Sequence, residues 1–108
     1  MMKSLDQILA ITPGLNGAAR ADASGNVVDA AGQLDAESLC AVAAMGKVPL
    51  EHAAELLGLG GLRDFSFSYA QGAFYVHHDG GFVCVVGAPS KSPETIMKKI
   101  AQAAGDSF

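Results

Sequence analysis

Two spacings alternate along this chain. Leu5, Ile8, Leu9 and Thr12 recur at helical intervals and predict a short opening helix. Ser4 stands as its cap and Gln7 at the capping-box position. Pro13-Gly14 stops it. Residues 17–22 and 26–31 then read as the strands of a hairpin, joined by the turn Asp22-Ala23-Ser24-Gly25-Asn26. Their Ala side chains suit a sheet that helices approach closely. Arg20 is expected on an exposed face.

Residues 35–59 carry the longest helical pattern, with Asp35 as N-cap. Leu39, Val42, Leu50, Ala53, Leu56 and Leu57 form one apolar face. Ala36, Cys40, Ala43, Ala44 and Ala54 form a second face of small residues. A helix apolar on two sides is covered on two sides, one by its own sheet and the other by a partner chain. Gly46 and Pro49 interrupt the pattern. Pro49 cannot donate to the carbonyl of Met45, which predicts a kink or two helices meeting near Lys47-Val48. Gly58-Leu59-Gly60-Gly61 ends the element.

Strand spacing follows. Over residues 62–69, Phe65, Phe67 and Tyr69 alternate with Asp64, Ser66 and Ser68, which predicts one buried and one polar face. Ala70-Gln71-Gly72 turns the chain, residues 73–78 form the next strand, and Asp79-Gly80 turns it again. Residues 81–87 are apolar on both faces, as in a central strand covered by helices on both sides. Ser92, Pro93 and Glu94 open a last helix through Ile96, Met97 and Ile100, which frays from Gly105. The order is α-β-β-α-β-β-β-α: an α+β domain with a five-stranded antiparallel sheet and helices on both faces.

The 108 residues are expected to form one domain. Half are hydrophobic, but only 6% are aromatic and Trp is absent, so the core relies on Ala and aliphatic residues. A net charge of −4 disfavours nucleic acid or an anionic membrane as partner. The two cysteines, Cys40 and Cys84, form no CxxC and read as buried reduced thiols. With no signal-type apolar core near Met1 and no membrane-length apolar run, a cytoplasmic protein is expected.

The chain resembles the Roadblock/dynein-light-chain family. The resemblance rests on Leu9-Ala10-Ile11-Thr12-Pro13-Gly14-Leu15-Asn16-Gly17-Ala18, similar to that family's helix, Pro-Gly and Gly-Ala opening. Asp22 through Val28 is similar to its Asp-x-x-Gly-x-Val-Val hairpin. The Ala-rich second helix and three-strand meander follow in order, over about residues 4–104. The resemblance implies a homodimer, or a heterodimer with a related chain, paired through the second helix and third strand. Mapped here, the interface is Ala36, Cys40, Ala43 and Lys47 on the helix and Arg63, Phe65, Phe67 and Tyr69 on the strand. It further implies a non-enzymatic platform or regulator for a small Ras-like GTPase. The chain departs from the family at Gly46 and Pro49, where the family's helix runs unbroken. Independently, the strand over 62–69 has no Pro or Lys to blunt a free edge, and pairing across a two-fold axis would cover it.

Several motifs invite other chemistry. His77 and His78 are strand neighbours pointing to opposite faces, so they cannot share one metal ion. Cys84 in an apolar strand is a poor nucleophile. Gly58-Leu59-Gly60-Gly61 follows a helix and lacks the Gly-Lys-Ser/Thr of a phosphate loop. Phe74, Tyr75 and Phe82 read as core and not as an RNA-stacking platform, given the acidic balance. Arg20 and Arg63, the only arginines, are not placed as a GTPase finger. Lys47, Glu51, His52 and Glu55 form a polar stripe, either a solvated face with a Lys47–Glu51 pair or a partner-binding rim. No cofactor or metal is expected. The alternative function is a small-ligand sensor whose pocket His77, Tyr75 or Cys84 would line.

Overall fold

A computed structural model describes residues 5–10 and 14–105. The elements are α1 (Leu5–Leu9), β1 (Leu15–Ala21), β2 (Val27–Gly32), α2 (Ala36–Leu57), β3 (Asp64–Tyr69), β4 (Gly72–Asp79), β5 (Gly81–Gly87) and α3 (Pro93–Gly105). Ser4, Thr12 and Pro13, assigned above to the first helix and its stop, lie outside the described residues.

The strands form one antiparallel sheet in the order β2-β1-β5-β4-β3. The doubly apolar strand β5 is central, as its composition predicts. On one face Tyr75, Val83 and Val85 pack with Leu5 and Ile8 of α1 and with Met97 and Ile100 of α3. On the other, Phe74, Val76, Phe82 and Cys84 pack with Cys40 and Ala43 of α2. Side chains such as Phe82 and Ile100 are almost completely buried, each stabilising the fold by about 1.5–3 kcal/mol.

The β1–β2 turn is built by Asp22, whose Oδ1 accepts from the backbone N–H groups of Ser24 (3.0 Å) and Asn26 (2.9 Å). Gly25 closes it at φ +89°, a left-handed conformation, and a Cβ there would stand 2.8 Å from Cβ of Ala44. The hairpin tip thus rests against α2. Arg20 is not freely exposed: its side chain is only 22% accessible and reaches Asp29 of β2 at 3.4 Å.

Asp35 caps α2, accepting from Ser38 N–H at 3.2 Å and Ser38 Oγ at 2.9 Å. Gly58 ends it in the left-handed conformation, its N–H turned back to Glu55 O. The expected division near Lys47-Val48 does not occur: α2 stays helical through Pro49. Pro49 and Met45 both lie on the exposed side, where water can satisfy the Met45 carbonyl that Pro49 leaves without a donor.

Candidate interaction surface

A further correction concerns which face of α2 is inward. Cys40 and Ala43 are completely buried, and Ala36 packs beside them against the chain's own sheet. Cys40 and Ala43 have no surface left for a partner. Small residues face inward because the sheet beneath supplies the bulk, in Phe74, Val76 and Phe82. A helix lined by Ala and Cys can settle closely on those rings. The large side chains are turned outward instead: Val42, Met45, Val48, Leu56 and Leu57 are between 50% and 73% exposed. An exposed apolar stripe of this size marks a contact surface.

Beside it lies the second open feature. The helix makes its main contacts over β1, β2 and β5. Phe74 and Val76 of β4 are still buried beneath it, and the outer strand β3 is left only partly covered. The expected alternation of β3 is present, since Phe65 pairs with Val76, Phe67 with Phe74 and Tyr69 with Gly72. All three aromatic residues therefore stand on the α2 side. Their face is not buried as the alternation implied: Phe65 is half-buried, Phe67 is 39% exposed and Tyr69 61%. Phe67 stacks on Phe74 with ring centroids 6.5 Å apart and meets Phe65 edge-on at 5.8 Å. A groove of about 370 Å³, lined by Leu39, Val42, Tyr69, Phe74 and Val86, runs between the helix and this strand. β3 is an outer strand of the sheet, so one side of its backbone is without a strand partner among the described residues.

The remaining candidates separate. Lys47 pairs with Glu51 at 3.9 Å, one helical turn on, and its Nζ lies 6.0 Å from the Phe82 ring centroid. His52 and Glu55 are exposed further along α2, and Arg63 is exposed at the entrance to β3. His77 and His78 do point apart: Nδ1 of His77 meets Asp64 Oδ1 at 2.6 Å, while Nδ1 of His78 meets the Leu62 carbonyl at 3.1 Å. Among the described residues no group of His, Cys, Asp and Glu is arranged to hold a metal. Tyr75 and Cys84 are fully buried on opposite faces of the sheet, so they cannot line one pocket. Burial pushes both cysteine thiols and the Tyr75 phenol above their ordinary pKa ranges. No described helix is long and apolar enough to cross a membrane.

Asp64 escaped the sequence reading. Hairpin arithmetic could have found it, because closing the Ala70-Gln71 turn with a Tyr69–Gly72 pair places Asp64 opposite His77.

These features define a class: an α+β domain whose β3 edge, one of the sheet's two outer strands, lies beside an open helix face. Its fold is that of the Roadblock/LC7 domain. The chain is similar to the Roadblock/LC7 domain from Streptomyces avermitilis, with a TM-score of 0.82 and 15% identity over 94% of this chain and 89% of that one. It is also similar to the gliding protein MglB from Thermus thermophilus, with a TM-score of 0.72 and 16% identity over 94% and 86%. MglB from Myxococcus xanthus gives a TM-score of 0.66 at 16% identity over 96% and 99%. No family model matches the sequence, and no curated protein matches it.

Proposed function

We propose that the chain is a non-enzymatic, dimeric, cytoplasmic module that binds a small Ras-like GTPase and scaffolds or regulates it. The observation that carries the dimer is the coincidence, on one side of the domain, of the aromatic strand edge Phe65-Phe67-Tyr69 with the apolar outer face of α2. A second chain covering both would remove exposed apolar area and unpaired backbone together. The helix contribution is Val42 and Met45, in place of Cys40 and Ala43; Arg63 and Lys47 stand at the margins. The GTPase comes from the Roadblock resemblance, supported by the shared fold and by a structural neighbour described as a gliding protein. Lys47, Glu51, His52 and Glu55 are the proposed rim for that partner. The stripe holds two carboxylates, one of them paired with Lys47, and leaves Glu55 to meet a cation of the partner.

The test is affinity capture with each small Ras-like GTPase encoded in the same genome, loaded with GDP or with a non-hydrolysable GTP analogue. Retention of one of them, weakened by Glu51→Lys with Glu55→Lys, supports the reading. Retention of none in either nucleotide state overturns it.

A further inference from the structure

The end of the β3–β4 hairpin away from its turn holds a cavity that the dimer and GTPase surfaces leave unused. Its volume is about 460 Å³, and Gly61, Leu62, Arg63, His78 and Gly80 bound it. That volume lies within the range of small-molecule sites. The backbone N–H of His78 donates to the carbonyl of Arg63 at 2.7 Å, which sets the two residues side by side and extends the ladder by one pair. Side chains alternate along a strand. Arg63 therefore shares a face with Phe65, and His78 shares it with Phe74 and Val76, the α2 side of the sheet.

Each group on the wall has a defined chemistry. Asp64, beside Arg63 in sequence, is turned to the opposite face and taken up by His77. Glu51 is taken up by Lys47. Arg63 is left exposed, with no carboxylate partner among the described residues. Its guanidinium only donates. Nδ1 of His78 meets the Leu62 carbonyl at 3.1 Å. A carbonyl only accepts, so Nδ1 carries the proton, and the neutral ring offers Nε2 as an acceptor. The Phe82 ring, its centroid 5.0 Å away, backs the imidazole. Gly61 and Gly80 bring no side chain, and a Cβ on either would meet nothing within 4 Å, so the backbone between them lies open to a ligand.

A ligand here must meet two opposite demands. It needs anionic oxygens for Arg63 and a hydroxyl for Nε2 of His78. A phosphate monoester supplies both: it carries about −1.5 to −2 charge at pH 7, so a share of it retains one hydroxyl. A sulfate ester has the same shape and no proton to give. An ionised carboxylate is likewise acceptor-only. We propose that this cavity binds the phosphate group of a small, soluble phosphate monoester, with Arg63 holding the charge and His78 selecting the hydroxyl. The chain's net charge of −4 favours a small solute over an anionic membrane as the source of that phosphate. Such binding requires neither the dimer nor the GTPase.

The experiment titrates the intact chain at pH 7 with methyl phosphate and, separately, with methyl sulfate, following the backbone amide resonances of Gly61, Arg63 and Gly80. Saturable shifts are expected with methyl phosphate, with an affinity about tenfold above that for methyl sulfate. Arg63→Gln is expected to weaken methyl phosphate by about tenfold or more. His78→Asn keeps a donor for the Leu62 carbonyl and removes Nε2, and is expected to erase the preference for phosphate over sulfate. Both variants are checked for the parent's melting temperature; if His78→Asn fails to fold, the parent's preference between the two esters decides. Absence of saturable shifts with methyl phosphate overturns the site. Equal affinity for the two esters in the parent, or an undiminished preference in His78→Asn, overturns the phosphate assignment.

Discussion

Asp64 and His77 face each other across the β3–β4 ladder, with carboxylate Oδ1 2.6 Å from ring Nδ1. An ionised carboxylate only accepts, so Nδ1 carries the proton. The His77 side chain is only 7% exposed, and its Nε2 is buried with no partner among the described residues. The bond thus fastens the outer strand to the sheet interior. Asp64→Ala leaves the buried ring without its acceptor and is expected to cost about 1–3 kcal/mol. Chemical denaturation measures this; an unchanged midpoint would contradict the role given to the pair.

The two cysteines test the inward face of α2. Burial raises both thiols, Cys84 the more strongly, and each lies in the cluster beneath the helix. Thiol reagents attack the thiolate. Neither cysteine should react in the folded chain at pH 8 over a period in which both react in denaturant. Cys84→Ser places an unmatched hydroxyl in that core and is expected to cost about 1–3 kcal/mol. Rapid labelling of Cys40 in the native chain would mean that the small-residue face is open after all.

Pro49 forfeits one helical hydrogen bond in the interior of α2. Pro is about 3 kcal/mol less favourable than Ala inside a helix. Pro49→Ala is therefore expected to stabilise the chain by about 1–3 kcal/mol, read as a raised melting temperature. A loss of stability would show that the proline's ring makes contacts worth more than the bond it forgoes.

Acid should weaken the Asp22 turn and the Asp35 cap. The Asp22 carboxyl is held below its ordinary range, first by the Asn26 backbone N–H, and that of Asp35 first by the Ser38 backbone N–H. Carboxyls depressed in the folded state contribute fully above the unfolded value of about 3.9. The contribution is lost as pH falls through the lower folded values. Stability should decline below about pH 4, and more shallowly in a double Asp22→Asn, Asp35→Asn variant. An identical pH profile for variant and parent would contradict this assignment.

Much of the fold was legible because local chemistry and tertiary placement agree. Asp35 is a cap, Pro93 is the first residue of α3, and residues 81–87 are central because both faces must be covered. Hydrophobic size misled where it was taken as the measure of inwardness. Cys40 and Ala43 lie inside because Phe74 and Phe82 already fill the interlayer space, a fact about the opposite wall that no helical period contains. Pro49 misled because a lost hydrogen bond is tolerable on a solvated face, and sequence does not reveal which face that is. Phe65, Phe67 and Tyr69 were correctly placed on one side of β3, yet that side stays partly open because α2 makes its main contacts over β1, β2 and β5.

The central claim is that the open strand edge and open helix face together seat a second chain. Light scattering of the intact protein at micromolar concentration tests it most directly. The account predicts twice the 11.0 kDa chain mass for the parent, falling to one chain mass for a folded variant carrying Ser66→Pro, which sets a proline in the middle of the outer strand. A parent particle of one chain mass would contradict it.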